Sequence, residues 1–366
     1  MRLGLICIVF YLNALAVNAA DVLTSQGNVS INRIMGGLDQ PWGLAFLPGG
    51  GFLVTERSGQ LIHVDQGGSV TRIRGVPRVA DQGQGGLLDV MVPQDFAQSR
   101  TIFLSFAKKS GRDRGTALAV GTLNDAGSKL SNVKLIFEMS SGGDGDSHFG
   151  GRIVERRDGT IFLTIGERGK RRAAQDLSRH NGSIIRINRD GSIPADNPFV
   201  DNAGARPEIW TYGHRNPQGA ALDLNGNLWV DEHGAKGGDE VNLIIPGKNY
   251  GWPVIAYGRH YSGAKIGEGT HKSGMEQPRH FWDPSIAPSG LMIYSGKLWP
   301  EWRGDFFIGS LKFDYISRLD PKSGWAEENI ASDETARVRD VREAPDGSIW
   351  FLSAREGAIY RITPAE

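Results

Sequence analysis

The chain has 366 residues, with 41 Lys and Arg against 41 Asp and Glu, and its 50 glycines are about twice the usual ~7% share. Zero net charge speaks against nucleic acid as the main partner, and nothing beyond the first twenty residues is apolar over the ~18 residues of a membrane span. Abundant glycine without a collagen-like period, beside plentiful Val, Ile, Leu and aromatics, points to short strands joined by tight turns.

The first element stands apart from the fold. Arg2, the apolar residues 3–17 and the small residues ending Val17-Asn18-Ala19-Ala20 read as an export signal, residues 1–19, cut after Ala19 with Ala20 as the alternative. The only cysteine, Cys7, leaves with it, so the mature chain has neither disulfides nor thiol chemistry. The expected product is residues 20–366, exported, most simply to the periplasm.

Six hairpins follow. Gly43-Leu44-Ala45-Phe46 turns through Pro48-Gly49-Gly50-Gly51 into Phe52-Leu53-Val54, and Leu87-Leu88-Asp89-Val90 leads to Ile102-Phe103-Leu104-Ser105. Gly151-Arg152-Ile153-Val154 turns at Asp158-Gly159, and Gly219-Ala220-Ala221-Leu222 at Asn225-Gly226. Gly290-Leu291-Met292-Ile293 precedes Asp305-Phe306-Phe307-Ile308, and Asp340-Val341-Arg342 turns at Asp346-Gly347 into Ser348-Ile349-Trp350-Phe351. Asn-Gly and Asp-Gly between alternating runs mark hairpins, because both turn residues must tolerate positive φ. Spacings of roughly 45 to 70 residues fit four-stranded antiparallel blades with loop insertions. The expected fold is all-β, one closed six-bladed β-propeller over residues 20–366; no apolar run of period 3.6 supports an α/β fold.

In such a ring the loops of one face converge on the axis and carry function. Asp144-Gly145-Asp146 reads as a solvated acidic turn, since the spacing of a calcium loop does not follow it. His148 beside Gly150-Gly151 is either a general base held by tight turns or a surface histidine, and Arg215 before Asn216-Pro217 is an anion clamp or a turn stabiliser. Glu232-His233 lacks the H-E-x-x-H frame of a zinc site. There is no G-x-S-x-G elbow, Walker loop or dinucleotide fingerprint in its strand and helix context, which removes serine hydrolases, NTPases and nicotinamide enzymes.

Together these segments resemble the soluble quinoprotein sugar dehydrogenases of the glucose/sorbosone dehydrogenase family, most closely its aldose sugar dehydrogenase branch. The resemblance runs from about Gln40 to Ile362 and rests on Pro41-Trp42-Gly43-Leu44-Ala45-Phe46, Gly83-Gln84-Gly85-Gly86-Leu87-Leu88, His148-Phe149-Gly150-Gly151-Arg152, Gly213-His214-Arg215-Asn216-Pro217-Gln218-Gly219, Gly237-Gly238-Asp239-Glu240-Val241-Asn242, Gly247-Lys248-Asn249-Tyr250-Gly251-Trp252-Pro253, Leu311-Lys312 and Arg337-Val338-Arg339-Asp340. It implies pyrroloquinoline quinone (PQQ) and Ca²⁺ as cofactors, aldose sugars as substrates, a separate electron acceptor, and a monomer or homodimer. It also implies His148 as catalytic base, Glu167 as the carboxylate behind it, and Arg215 against the quinone carbonyl. Gln84, Asn216, Lys312, Arg337 and Arg339 would contact the cofactor. The carbonyls of Gly234 and Ala235 would hold the cofactor's calcium, and Glu240 with the carbonyl of Tyr250 a second, structural one.

The residue types suit that chemistry. Oxidation at an anomeric carbon removes a hydroxyl proton as hydride leaves, which a neutral imidazole can assist near pH 7. Arg and Lys suit a tricarboxylate through charge-assisted bonds. Three positions depart from the family: Ala235 replaces a common Pro, Ser147 replaces a common Asp or Asn, and Glu167 replaces the shorter Asp of the glucose branch. No counterpart of that branch's substrate-enclosing insertions is found, so an open pocket with broad sugar preference is expected. The rival classes are a non-catalytic binding propeller, which would not need His148, Arg215, Lys312 and Arg339 together, and a calcium lactonase, which would call for carboxylates and Asn around a central metal.

Overall fold

All six expected hairpins form, and each is the inner half of an antiparallel sheet. The computed structural model describes residues 20–140 and 142–365; the expected export signal lies outside the described residues. Two strands come first, β1 (Ala20–Thr24) and β2 (Gly27–Met35). The first blade is β3 (Pro41–Phe46), β4 (Phe52–Glu56), β5 (Gln60–Val64) and β6 (Val70–Arg72). The second is β7 (Leu87–Met91), β8 (Thr101–Ser110), β9 (Asp113–Leu123) and β10 (Leu130–Glu138). The third is β11 (Gly150–Glu155), β12 (Ile161–Ile165), β13 (Ser183–Ile187) and β14 (Ile209–Tyr212). The fourth is β15 (Pro217–Leu222), β16 (Leu228–Glu232), β17 (Asp239–Leu243) and β18 (His280–Trp282). The fifth is β19 (Pro288–Ile293), β20 (Phe306–Ser310), β21 (Tyr315–Asp320) and β22 (Ala326–Ala331). The chain ends with β23 (Val338–Glu343), β24 (Ile349–Ser353) and β25 (Ala358–Pro364).

The sixth blade borrows its fourth strand from the other end of the chain. β2 pairs with β25, setting Ile31 opposite Ile362, and β1 adds a fifth strand outside it. The inner strands β3, β7, β11, β15, β19 and β23 neighbour one another in that order and back to β3, closing the ring. Burial follows distance from the axis: every residue of β4, β7, β12, β13, β19 and β20 is buried, whereas β22 at the rim keeps only Ile330 inside. Interior strands flanked by blades on both faces need continuous apolar runs, which explains Ile161-Phe162-Leu163-Thr164-Ile165.

Every inner strand also carries a register shift near its start, between Pro41 and Leu44, Leu87 and Val90, Gly150 and Ile153, Pro217 and Gly219, Pro288 and Leu291, and Val338 and Asp340. Such bulges re-aim side chains at a barrel or propeller mouth. Just below them, Arg152 bridges Asp89 at 2.9 Å and Asp340 at 3.2 Å, and Arg342 contacts the same two carboxylates at 3.2 and 3.0 Å. Asp89 also accepts the Ile153 N–H, and Asp340 the Leu44 N–H. These two positive and two negative groups pin the inner strands of four blades, a structural use for two of the resemblance motifs.

Candidate active site

In a four-stranded antiparallel blade the loop between strands two and three and the connector to the next blade emerge at the same end. The sequence-selected residues sit in those two loop classes, or at the adjoining start of an inner strand. Gln84, His148, Arg215, Asn216 and Arg337 lie on blade-to-blade connectors; Glu167, Gly234, Ala235 and Lys312 lie between second and third strands; and Arg339 lies on β23. One cavity of about 760 Å³ is lined by all of these except Glu167, which stands behind His148. Glu240 and Tyr250 are elsewhere, on a recess of about 20 Å³ that they share with Glu232, Gly234 and Trp252.

His148 is held from two sides. Its backbone has φ +57°, its N–H donates to Gln84 Oε1 at 2.8 Å, and its Nδ1 lies 2.5 Å from Glu167 Oε1. Glu167 is 1% exposed, its own N–H donates to the Arg215 carbonyl, and its carbonyl accepts from Asn181. With Nδ1–H committed to the carboxylate, Nε2 is the ring nitrogen left with a free lone pair toward the cavity. Burial lowers the His148 pKa and the nearby Arg215 guanidinium adds to that, while the Glu167 hydrogen bond opposes it. The net direction is down, so the imidazole is neutral at pH 7 and available as a base.

Arg215 is fixed by its backbone as well as its head. Its N–H donates to Glu232 Oε2 at 2.7 Å, its Nη1 to the His233 carbonyl at 3.2 Å, and its guanidinium lies 5.3 Å from the Trp252 ring centre. Asn216 Oδ1 accepts from the Gly150 N–H and from Gln218 Nε2, and Gln218 Oε1 accepts from Arg339 Nη1 at 3.0 Å. Arg337, at φ +53°, donates to the Leu311 carbonyl, and the Lys312 ammonium lies 4.6 Å from the Phe313 ring centre. Among the described residues, none of these four cations has a carboxylate within ion-pair distance. Eight basic side chains line the cavity (Arg57, Arg215, Lys236, Arg259, Lys312, Arg337, Arg339 and Arg355) against one acidic residue, Asp283. Arg57 is paired with Asp81 and Arg355 with Asp314. Burial, then repulsion from Arg337, Arg152 and Arg57, pushes Arg339 down to about 9. Most of the wall's positive charge is uncompensated, an arrangement that suits an anion.

Among the described residues, no three His, Cys, Asp or Glu side chains are grouped to hold a metal. Cation ligands here would include carbonyls. In the second recess, burial and the neighbouring Glu232 carboxylate push Glu240 up to about 8. The Tyr250 hydroxyl is committed, donating to the Leu243 carbonyl and accepting from the Ile245 N–H.

Sequence reasoning singled out Glu232 only to dismiss a zinc site, yet this carboxylate anchors both Arg215 and His214 Nδ1. It gave no role to Gln218, the link between Asn216 and Arg339, or to His233, which it dismissed with Glu232 and whose pKa burial and Arg215 push down to about 3. Both stand inside segments the sequence singles out; their partners, Arg339 and the Pro288 carbonyl, lie on other blades and are set by ring closure. Asp144-Gly145-Asp146 lies outside this cavity, where the Asp144 carbonyl accepts from Arg114.

Residues 38–361 match the family model described as Glucose / Sorbosone dehydrogenase. The aldose sugar dehydrogenase YliI of Escherichia coli K12 is 40% identical over 364 residues, covering 97% of this chain and 98% of that protein. The crystal structure of the soluble aldose sugar dehydrogenase from Escherichia coli in the apo-form superposes with a TM-score of 0.87 at 40% identity, covering 92% of this chain and all of that one. A PQQ-bound aldose sugar dehydrogenase from Streptomyces coelicolor superposes with a TM-score of 0.74 at 27% identity, covering 94% of this chain and 100% of that one.

Proposed function

The chain belongs to the Glucose / Sorbosone dehydrogenase family, and from that premise we propose that it oxidises aldoses at the anomeric carbon to lactones, with PQQ and Ca²⁺ as cofactors. The observation that carries this reading is the pairing of a neutral, carboxylate-backed His148 with a cation-rich cavity wall in which Arg215, Lys312, Arg337 and Arg339 lack carboxylate partners. A planar tricarboxylate fits that wall: Lys312, Arg337 and Arg339 would hold its carboxylates, Gln84 and Asn216 would line it, and the Gly234 and Ala235 carbonyls would face its calcium. When bound, PQQ supplies the electrophilic carbon that accepts hydride.

The chain's own groups do the rest. His148 Nε2 takes the C1 hydroxyl proton, and Glu167 stabilises the imidazolium that results and keeps the ring in one tautomer. Arg215, fixed at both backbone and head, supplies a preorganised positive charge beside the reacting atoms. Glu240 and the Tyr250 carbonyl would hold a second cation, which would relieve the repulsion between Glu240 and Glu232. The catalytic unit spans residues 20–366, is exported to the periplasm, and passes its electrons to a separate acceptor. Among the described residues, no helix is long and apolar enough to cross a membrane.

The test is reconstitution. Purified protein is given PQQ and Ca²⁺, and reduction of an artificial dye is followed with glucose, galactose, xylose and maltose. Turnover that requires both additions supports the reading; tight PQQ binding without oxidation of any sugar refutes it.

A further inference from the structure

Two cavity-lining cations, unpaired among the described residues, stand outside the set proposed to hold the cofactor. Lys236 and Arg259 face each other across a short antiparallel pairing, the Lys236 N–H donating to the Arg259 carbonyl at 2.9 Å and the Arg259 N–H to the Lys236 carbonyl at 3.2 Å. Arg259 is in turn opposite Lys265. Directly opposed residues of antiparallel strands share a face, so three positive side chains stand in a row on one side of a small ribbon. Like charges opposed in this way destabilise the pairing. Lys265 Nζ turns to a neutral carbonyl, that of Glu268, and among the described residues Lys236 and Arg259 have no side-chain hydrogen bond or ion pair. Asp283, the one acidic residue of the cavity, packs against Gly237 and lies beyond ion-pair distance of both.

This ribbon forms part of the wall of the cavity that holds His148, and Tyr261, two residues after Arg259 and 73% exposed, lines the same space. An exposed aromatic ring beside two uncommitted cations suits a sugar ring that carries a negative charge. Resting on the dehydrogenase reading, the geometry points to an acidic aldose as the preferred substrate class: a hexose with a carboxylate away from C1, such as a hexuronic acid, its carboxylate on Lys236 and Arg259. The reaction balances as for a neutral aldose. The C1–H bond breaks with its electron pair going to the quinone, the C1 hydroxyl proton goes to His148, and a C1=O bond forms, leaving the remote carboxylate unchanged.

The test compares glucuronate and galacturonate with glucose and galactose on the PQQ- and Ca²⁺-loaded enzyme. The expected result is a kcat/KM about tenfold higher for each uronate, shrinking as ionic strength rises, as for exposed charges. In Lys236→Gln/Arg259→Gln the uronate-to-neutral ratio should fall toward one. Calorimetric titration of wild type and this double variant with glucuronate and with glucose reads binding without turnover, and glucuronate affinity that depends on the two cations supports the subsite by itself. Neutral sugars used as well as uronates by wild type, or a ratio that the double variant leaves intact, overturns the inference while leaving the dehydrogenase reading standing. Failure to oxidise any sugar refutes the dehydrogenase reading instead, and the calorimetry still decides the subsite.

Discussion

Replacing Glu167 with Gln separates the charge behind His148 from the contact. The amide keeps an oxygen within reach of His148 Nδ1–H, now 2.5 Å from the carboxylate, so the tautomer and ring position are retained. What disappears is a buried negative charge that, on the proposed mechanism, would stabilise the imidazolium as the substrate proton arrives. A hydrogen bond to a charged group contributes about 1.5–3 kcal/mol, so kcat is expected to fall about 10- to 150-fold with KM little changed. Glu167 raises the His148 pKa against burial, so its neutralisation lowers that pKa further. The base works unprotonated and activity is lost as pH falls through its pKa; the acid limb of the kcat/KM profile therefore moves to lower pH in Glu167→Gln. Glu167→Ala, which also frees the ring, should lose more than Glu167→Gln. Steady-state dye reduction across pH in the reconstituted variants measures both effects. Equal kcat and an unmoved acid limb in Glu167→Gln would reduce the carboxylate to a packing contact and remove the charge argument.

The cofactor-binding reading predicts that Lys312→Met and Arg339→Met each weaken PQQ binding about 10- to 150-fold, by removing a charge-assisted contact; calorimetric titration at fixed Ca²⁺ checks this, and wild-type affinity in both would place the anion elsewhere. Glu240, held at about 8, is largely protonated in the fold at pH 7 but ionised in the unfolded chain, so its burial costs stability that grows as pH rises from the ordinary carboxylate range toward 8. Glu240→Gln should therefore raise the Tm of calcium-free protein at pH 7 and abolish the Tm gain that Ca²⁺ gives wild type, read by calorimetry with and without the metal. Arg152→Met leaves two buried carboxylates to share Arg342, and urea titration should show a loss of about 3 kcal/mol or more; a loss under 1 kcal/mol would mean that Arg342 suffices.

The six hairpins were legible because their turns are specified locally, by Asp158-Gly159, Asn225-Gly226 and Asp346-Gly347, and because the strands that follow are apolar on both faces. The closing strand was not. Residues 27–35 alternate, with Val29 and Ile31 buried, but nothing near them says that the partner is Ile362, more than three hundred residues away. The gathering of the selected residues at one cavity was legible where glycine-rich connectors mark the end of the ring they share. The arrangement was illegible where a side chain acts through a partner outside its own motif, as Gln218 does for Arg339 on another blade and Glu232 for Arg215. The insertion carrying Arg259 and Tyr261 has no strand or helix period, so its return over the cavity could be found only in three dimensions.

Pairing, rather than burial, separates the arginines of the axial network from those of the cavity wall. Arg339 and Asp340 are adjacent in sequence, yet the register shift between Val338 and Asp340 sends the carboxylate into the axial network and the guanidinium to the cavity wall. In the network, Arg152 and Arg342 meet Asp89 and Asp340, two charges against two, and the assembly is neutral without any ligand. On the cavity wall, Arg215, Lys312, Arg337 and Arg339 meet only carbonyls, an amide and aromatic faces. Uncompensated charge in a partly desolvated wall is unfavourable for the isolated chain, which is why Arg339 is pushed down to about 9. The same imbalance is what an anion relieves on binding. Stability measured without ligand should therefore fall when Arg152 is neutralised and hold or rise when Arg339 is, and a destabilised Arg339→Met would show that this arginine belongs to the scaffold.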